Sequence, residues 1–190
     1  PIKNLNNFII TKRHYMKITF RKATSADINT ISQIYDNIHT EEELKNTTTG
    51  WIRGVYPTKS TIEAALSRDD LFVEESNGEI VGTAILNQQQ VDTYRLEKWQ
   101  YEAPDNQIMV MHTLIIDPNK KGGGFGKAFA EFYEKYALEN NCHYLRIDTN
   151  AKNINARNFY KKLGYQEIGI LPCEFNGIKD VQLVLLEKKI

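Results

Sequence analysis

The stretch DPNKKGGGFGK, residues Asp117 to Lys127, contains four of the chain's eleven glycines within five positions. Glycines allow successive backbone N–H groups to face one side without obstruction, and the helical pattern that follows adds the free N–H groups of a helix N terminus. The helix dipole favours an anion at the same place, and Lys120, Lys121 and Lys127 add positive charge. This segment is therefore predicted to bind a phosphate group.

The spacing of these glycines does not match two common nucleotide motifs. GxGxxG would need a glycine where Lys127 stands, and GxxxxGK[ST] would need a glycine at Lys121 and a hydroxyl at Ala128. A flexible linker is also disfavoured, because a strand pattern ends at Pro118 and a helix pattern is established by Phe125. The alternative that stays open is a glycine-rich turn that only lets the strand pack against the helix.

The elements before this loop follow from the periodicity of apolar residues. A strand pattern at Lys17–Lys22 precedes a segment with apolar residues at helical spacing. A second helix is predicted from Ser60, because Ser60 and Glu63 can form a capping box. Two strands then flank Asn77-Gly78, a dipeptide typical of tight turns, and this pattern predicts an antiparallel hairpin.

The second half of the chain alternates strands and helices. A long connection rich in tyrosine and tryptophan leads to the apolar strand Ile108–Ile116, and the glycine run then begins an amphipathic helix. A strand, a short helix ended by Gly164 and a second hairpin at Asn176-Gly177 complete the chain. Hairpins combined with strand-helix-strand steps predict an α+β fold with a mixed sheet.

Length and composition indicate one intracellular domain. The chain has 190 residues, 41% of them hydrophobic, with equal numbers of basic and acidic side chains, which argues against a nucleic-acid binder with a generally basic surface. It has no apolar run long enough to span a membrane and no signal-peptide pattern, so we expect a cytoplasmic protein. Cys142 and Cys173 lack the spacing of a metal motif, and we expect no metal. Residues 1–15 are expected to be a flexible extension of a single domain at residues 16–190.

Two motifs together resemble those of the GCN5-related N-acetyltransferase (GNAT) superfamily. The family's coenzyme-binding pattern is [Arg/Gln]-x-x-Gly-x-[Gly/Ala], and the matching residues here are Lys121, Gly124 and Gly126. The lysine departs from the pattern, since it keeps a charged donor but loses the planar fork of arginine. The family's later motif resembles NINARNFYKKLGY, Asn153 to Tyr165. The resemblance covers nearly the whole chain after residue 15.

The resemblance implies the GNAT fold and acetyl-CoA as the cofactor. In that fold a central, mostly antiparallel sheet flanked by helices separates between its fourth and fifth strands, here the strand at Ile108–Ile116 and the one at Tyr144–Asp148. The pantetheine arm is expected in the gap and the diphosphate on the backbone N–H groups of the glycine loop. The cofactor-binding residues implied are Leu114, Ile115, Ile116, Lys121, Gly122, Gly123, Gly124, Phe125, Gly126, Lys127, Asn153, Ala156 and Tyr160.

The resemblance also implies catalytic roles. Tyr160 stands at the family position that protonates the departing thiolate, and the backbone N–H of Leu114 at the position that stabilises the oxyanion. His112 is our candidate for the base that takes the proton of the amine, with Glu102 and Glu174 as substitutes. A tyrosine or a histidine that only packs in the core is the alternative for Tyr160 and His112.

The acceptor side is expected to be lined by Trp51, Arg53, Tyr56, Tyr94 and Trp99, with Arg53 suited to a carboxylate of the acceptor. The implied reaction moves an acetyl or other short acyl group from acetyl-CoA to a primary amine of a small molecule. Two alternatives stay open: a coenzyme-binding sensor or interaction module without catalysis, and an acetyltransferase acting on a protein N terminus. The oligomeric state also stays open, with a homodimer as one option.

Overall fold

The structure is a computed structural model that describes residues 17–120 and 122–190. The proposed extension at residues 1–15 and the motif residue Lys121 lie outside the described residues. The helices are α1 (Ile28–Glu43), α2 (Lys59–Ser67), α3 (Phe125–Glu139) and α4 (Ile154–Lys162). The strands are β1 (Ile18–Lys22), β2 (Leu71–Ser76), β3 (Glu79–Asn87), β4 (Ile108–Ile116), β5 (Tyr144–Asn150), β6 (Gln166–Phe175) and β7 (Ile178–Lys189).

The strands that the structure describes form one mixed sheet in the order β1-β2-β3-β4-β5-β7-β6. All neighbouring pairs are antiparallel except β4 and β5, which are parallel. Parallel strands need a crossover connection, and α3 supplies it. The α+β class, the mixed sheet and the GNAT-type arrangement predicted from the sequence are thereby confirmed.

Alternation of side chains along the central strands gives each face of the sheet its own core. On β2, Phe72 packs with Phe129 and Tyr133 of α3, whereas Val73 points the opposite way and packs with Ile31 of α1 and Ile62 of α2. Both faces are therefore covered by helices, which explains why β2 is buried along nearly its whole length. None of the helices in the described part of the chain is long and apolar enough to cross a membrane.

The parallel pairing of β4 and β5 is short and ends inside the sheet. It extends from Ile108, opposite Tyr144, only to Val110, opposite Arg146. At the end of this ladder the buried Tyr133 hydroxyl of α3 donates to the carbonyl oxygens of Met109 at 2.6 Å and of Arg146 at 3.3 Å. One side chain thus satisfies a carbonyl of each strand where the two begin to separate. The separation between the fourth and fifth strands agrees with the sequence prediction.

The start of α2 differs from the sequence prediction. The capping box is formed by Thr58 and Thr61 rather than by Ser60 and Glu63, and the Thr58 N–H donates to Thr61 Oγ1 at 3.0 Å. Threonine is a good N-cap residue, and a hydroxyl at the third helical position can replace the usual carboxylate or amide. The helix therefore starts at Lys59, one residue before the predicted cap.

A buried carboxyl without partners lies on β2. Glu74 is fully buried, and neither of its oxygens has a hydrogen-bond partner among the described residues. It sits opposite Gly82 of β3, where a Cβ would lie 3.3 Å from Glu74 Oε2 and 2.6 Å from Ile116 Cδ1. Burial raises the pKa of Glu74 to about 8. Glu74 is therefore protonated in the folded protein at neutral pH.

Replacement of Glu74 is expected to change how stability depends on pH. Below the ordinary pKa of 4.5 Glu74 is protonated in both states, but between 4.5 and about 8 only the unfolded chain loses the proton, so the free energy of unfolding falls as pH rises. Glu74→Gln cannot titrate. Its melting temperature relative to the parent should rise by roughly 10 °C between pH 5 and pH 8.5.

The control is Glu75→Gln, which removes a neighbouring carboxylate that pairs with Arg21 at 2.7 Å. Its melting temperature relative to the parent should not rise over the same pH range. Thermal unfolding followed by circular dichroism measures both variants. A constant difference between Glu74→Gln and the parent from pH 5 to pH 8.5 would show that Glu74 titrates normally.

Candidate functional site

The separation of β4 and β5 opens a cleft of about 820 Å³. Beyond Val110 and Arg146 the two strands no longer pair, so their diverging ends form two of its walls. The other walls come from α2, the loop between α1 and α2, the first turn of α4 and the β6–β7 hairpin. Side chains from separate parts of the chain therefore meet in one cavity of the size of a small-molecule site.

A β-bulge shapes the β4 wall of this cleft. Ile85 of β3 lies opposite His112, but Thr83 lies opposite Ile115, so β4 contains an extra residue between these pairs. Thr113 has a φ of +53°, which is strained for a β-branched residue. Its hydroxyl is held by the Tyr56 hydroxyl from the α1–α2 loop. The bulge interrupts the alternation of β4, and His112, Thr113 and Leu114 all line the cleft.

The glycine loop places free N–H groups at the start of α3. Gly124 is the N-cap residue, with a φ of +73°, and no side chain among the described residues caps the helix. Gly122 also has a positive φ of +91°, and a Cβ on either glycine would meet no described atom within 4 Å. The N–H groups of the first turn are therefore unobstructed, and the helix dipole favours an anion beside them. This geometry fits a diphosphate.

The other two glycines of the run have packing roles. A Cβ at Gly123 would lie 2.3 Å from the Phe125 ring, whereas a Cβ at Gly126 would have ordinary contacts of 3.6 Å to Phe159 and 3.8 Å to Ile116. Gly126, a motif position, therefore tolerates a methyl group, and Gly123 does not without movement of a buried ring. The motif alone does not predict how much space surrounds each glycine.

Two of the loop lysines already have acidic partners. Lys120 Nζ lies 2.7 Å from Glu79 Oε2, and Lys127 Nζ lies 3.5 Å from Glu131 Oε1. Both side chains are largely exposed, so these pairs are weak and do not fix the lysines. Attraction of a phosphate to this loop therefore rests on backbone N–H groups, with the lysines as mobile charges.

The first turn of α4 forms the opposite side of the cleft. Asn153 caps the helix, because its Oδ1 accepts the Ala156 N–H at 3.2 Å. Tyr160 is buried against the rings of Phe159 and Tyr165 and also lines the cleft. Burial raises the pKa of Tyr160 well above its usual value, with the charge of Asp148 adding to the shift. The Tyr160 phenol therefore keeps its proton at neutral pH and lies beside the cleft.

His112 belongs to a chain of hydrogen bonds that starts at Asp70, between α2 and β2. Its Nε2 lies 3.0 Å from Asn87 Oδ1, and Asn87 Nδ2 donates to Asp70 Oδ2 at 2.8 Å. Because Asp70 orients the Asn87 amide, the Asn87 oxygen faces the imidazole, which must then carry its proton on Nε2. Burial lowers the pKa of His112 to about 4, against an opposing effect of Asp70. His112 is therefore neutral, with Nδ1 as its acceptor.

Asp148 is a functional candidate that the sequence reasoning missed. It lies on the β5 wall, and its Oδ2 accepts a hydrogen bond of 2.7 Å from the Tyr94 hydroxyl. Burial raises the pKa of Asp148 to about 6, although the Tyr94 hydrogen bond acts in the opposite direction. A carboxyl with a pKa near neutrality in a cleft is suited to proton transfer. The sequence did contain a signal for it, because Asp148 is an ionisable residue inside a strand that was predicted to lie in the centre of the sheet.

The long connection between β3 and β4 lines the cleft with its first residues, Gln89 to Thr93, but not with its aromatic rings. Tyr94 is buried, and Trp99 Nε1 donates to the Tyr94 carbonyl at 2.9 Å. The Arg146 guanidinium stacks 3.9 Å from the Trp99 ring and pairs with the buried Glu187. Tyr94 and Trp99 were expected to line the acceptor side. In the structure Tyr94 instead reaches the cleft through its hydrogen bond to Asp148.

The α1–α2 loop covers one end of the cleft. Trp51 and Tyr56 line the cleft, as the sequence analysis expected for the acceptor side, and so does Glu174, whereas Glu102 does not. Arg53 lies outside, with Nε 2.7 Å from Glu43 Oε1 and Nη1 bonded to Asp36. The guanidinium is thus engaged by two carboxylates on α1. Arg53 is therefore not placed to meet an acceptor in the cleft.

One hydrogen bond and one close approach place this loop beside two other walls of the cleft. The Thr48 hydroxyl donates to the Lys152 carbonyl at 2.9 Å, on the segment between β5 and α4. On the opposite side, a Cβ at Gly177 in the β6–β7 turn would lie 3.4 Å from Val55 Cγ1. The loop is thus bonded to the β5–α4 segment and lies close to the β6–β7 turn.

The sequence also matches known proteins. A family model described as the acetyltransferase (GNAT) family matches residues 33–165. An uncharacterized N-acetyltransferase of Methanocaldococcus jannaschii is 29% identical over 77 residues, which are 40% of this chain and 49% of that protein. A second uncharacterized N-acetyltransferase of the same organism is 26% identical over 99 residues, which are 52% of this chain and 40% of that protein. The matches therefore span half or less of these curated relatives.

Solved structures share the fold over almost the whole chain. An acetyltransferase of the GNAT family from Streptococcus agalactiae has a TM-score of 0.77 at 20% identity, with 93% of this chain and 98% of that chain covered. The Salmonella typhimurium protein yncA, determined with its cofactor acetyl-CoA, has a TM-score of 0.65 at 16% identity, with coverages of 91% and 94%. The ribosomal-protein-S18-alanine N-acetyltransferase of Escherichia coli has a TM-score of 0.63 at 16% identity, with coverages of 92% and 94%.

Proposed function

The chain belongs to the acetyltransferase (GNAT) family, whose members use acetyl-CoA, and we propose that it transfers the acetyl group of acetyl-CoA to the primary amine of a small molecule. The observation that carries the proposal is the single cleft between β4 and β5. It joins a wall that holds Asp148 and Tyr160 to a second wall that holds His112, and β4 leads from there to the glycine loop. Proton acceptance and proton donation are thereby available in the cleft, and β4 continues from it to the glycine loop, which does not line the cleft but offers the phosphate site.

The coenzyme end of the proposed site is built from backbone. Acetyl-CoA, when bound, supplies an acetyl group activated as a thioester. The N–H groups of Gly124 to Lys127 would hold its diphosphate, because they are free at the start of α3 and no described side chain caps them. Beyond Val110 the backbone of β4 has no strand partner on its β5 side, so Leu114 to Ile116 would bind the pantetheine amides.

Asp148 is our proposed base. An alkylammonium with a pKa of about 10 must lose a proton before its nitrogen can attack. Asp148, with a pKa of about 6, is mainly ionised at neutral pH and can both attract the ammonium and accept a proton. His112, with a pKa of about 4, is the weaker base, but its neutral Nδ1 can accept a hydrogen bond and orient the amine. Tyr160 keeps its proton and is proposed to donate it to the departing sulfur.

A small acceptor is favoured over a protein N terminus by the covered end of the cleft. The α1–α2 loop is bonded to the β5–α4 segment through Thr48, and its Val55 lies close to the β6–β7 turn. An extended peptide needs an open groove, and we infer that a loop in this position restricts it. The structurally similar Escherichia coli enzyme acetylates a ribosomal protein by its name, so a peptide acceptor belongs in the same test as the small amines.

The direct test incubates the full chain with acetyl-CoA and a panel of amines and measures release of the coenzyme thiol. We expect release with at least one small primary amine and slower release with peptides that have a free N terminus. Thermal stabilisation by acetyl-CoA without thiol release from any amine would favour a non-catalytic binding module. Neither stabilisation nor release would contradict the assignment of the coenzyme site.

The glycine loop gives a second test, with a matched control. Gly124→Ala forces a side chain into the left-handed region at the start of α3, a strain of about 1 kcal/mol, and tilts the free N–H groups. The dissociation constant of acetyl-CoA, measured by calorimetry, should increase roughly tenfold. Gly78→Ala introduces the same kind of strain in the β2–β3 turn, where φ is +86°, and should leave the affinity unchanged. Equal losses in both variants would attribute the effect to stability alone.

The proposed base gives a third test, based on the pH dependence of the turnover rate. In the parent, kcat should rise with pH through the pKa of Asp148, near 6. Asp148→Asn should lower kcat by about 100-fold or more and remove this rising limb of the pH profile. Tyr94→Phe removes a hydrogen bond that lowers the Asp148 pKa, so the limb should move to higher pH.

The control for Tyr94→Phe is Tyr101→Phe, a change in the same connection away from the cleft. It should leave the limb in place. A limb that keeps its position in Asp148→Asn would show that another group is the base, and His112→Ala would then be the next variant to measure.

A further inference from the structure

A guanidinium is fixed inside the cleft at the C terminus of α2. Arg68 is the C-cap residue of α2, and its side chain, 36% exposed, lines the cleft. Its Nε donates to Asp70 Oδ2 at 2.8 Å and its Nη2 to Asp70 Oδ1 at 3.2 Å. Of the described residues that line the cleft, Arg68 is the one with a guanidinium or ammonium group. It is therefore the cation that an acceptor in the cleft would meet.

Asp70 holds Arg68 in place without using all of its donors. The Asp70 carboxylate is buried, and its Oδ2 also accepts Asn87 Nδ2 at 2.8 Å, so it cannot turn to follow the arginine. No residue in the described ranges hydrogen-bonds to Arg68 Nη1. The two N–H groups of Nη1 therefore stay available in a fixed orientation, which suits recognition of a carboxylate. Arg53 offers a contrast, because its guanidinium is bound by Glu43 and Asp36 outside the cleft.

The charges that line the cleft are separated into two ends. Arg68 lies on the α2 wall, and Asp148 lies on the β5 wall. The Tyr56 hydroxyl is near both: burial raises the pKa of Tyr56 to about 12, the charge of Asp148 adds to the shift and that of Arg68 opposes it. Asp92 and Glu174 also line the cleft and are exposed. Asp92 stands two residues before Tyr94, which bonds to Asp148, and Glu174 directly follows Cys173, whose thiol is close enough to Asp148 for its charge to raise the thiol pKa. The negative end is therefore the β5 side.

We propose that Arg68 binds a carboxylate of the acceptor while its amine lies at the Asp148 end, so that the acceptor is an amino acid. This inference rests on the proposed function and names the substrate class of the same site. Two opposite charges on facing walls match a zwitterion, whereas a polyamine would place a second cation against Arg68. The Tyr56 hydroxyl, which bonds to Thr113 at the β4 bulge, lies close enough to both charges to be influenced by each.

The experiment compares kcat/KM for matched acceptors with the parent enzyme. A panel of free amino acids is measured beside the corresponding amino acid amides, the amines left after removal of the carboxylate, and aliphatic diamines. We expect the best free amino acid to exceed its amide by at least about tenfold, mainly through KM. Equal values for acid and amide, or a preference for diamines, would overturn the proposal.

Arg68→Gln should remove this preference. Its kcat/KM for the free amino acid should fall about tenfold or more through KM, and its value for the amide should stay within about twofold of the parent. Arg53→Gln makes the same change of charge at the arginine outside the cleft and should leave the preference intact. A loss of the preference in Arg53→Gln, or an equal loss on acid and amide in Arg68→Gln, would contradict the assignment to Arg68.

The outcomes separate this proposal from the function on which it rests. If Arg68→Gln does not fold, the acid-to-amide comparison in the parent still decides whether a carboxylate is recognised, and Arg68→Lys, which keeps the charge but loses the fork, should show a reduced preference. Thiol release without any preference for a carboxylate would overturn the role of Arg68 and leave the acetyltransferase proposal in place. No thiol release with any amine would overturn both.

Discussion

The separation of β4 from β5 after three residue pairs is the constraint on which the site depends. Two adjacent parallel strands normally continue their ladder, and unpaired N–H and C=O groups inside a sheet are costly. Here the buried Tyr133 hydroxyl bonds to the carbonyl of Met109 on one strand and to that of Arg146 on the other. The bulge at Thr113 then interrupts the β4 backbone. The cleft exists because these local features reduce the cost of leaving the backbone groups of β4 and β5 unpaired.

The β5 side of the cleft is held rigid by buried ionic groups. The Arg146 guanidinium contacts Glu187, the Tyr101 carbonyl and the Trp99 ring, and Glu187 accepts the N–H groups of Gln100 and Tyr101 at 3.0 and 3.2 Å. Burial lowers the pKa of Arg146 and raises that of Glu187. Such a pair contributes little net stability, but removal of one partner would leave a buried charge. It fixes the long connection that carries Tyr94 to Asp148.

Local patterns in the sequence were sufficient to predict the fold, but they did not predict the long-range contacts between side chains. The bounds of β4, the Asn77-Gly78 hairpin and the start of α3 follow from periodicity and turn chemistry, which act over a few residues. The partners of Arg53 and Arg68 do not. Arg68 is followed by two aspartates, whereas Arg53 has no acidic neighbour in the sequence. Only the fold shows that α1 binds Arg53 outside the cleft while Asp70 holds Arg68 inside it.

The coenzyme end and the acceptor end of the proposed site also differ in how far the sequence predicts them. The coenzyme end consists of backbone N–H groups in one continuous loop, so glycine spacing alone indicates it, although the room around Gly126 and the crowding at Gly123 depend on Phe159 and Phe125. The acceptor end is made of single side chains from α2, β3, β4 and β5, far apart in the chain. Asp148 becomes a candidate base only because the fold buries it in the wall of the cleft, where Tyr94, more than fifty residues away, donates to it. A motif can therefore identify the donor of the acetyl group, whereas the acceptor has to be read from charges that only the folded chain brings together.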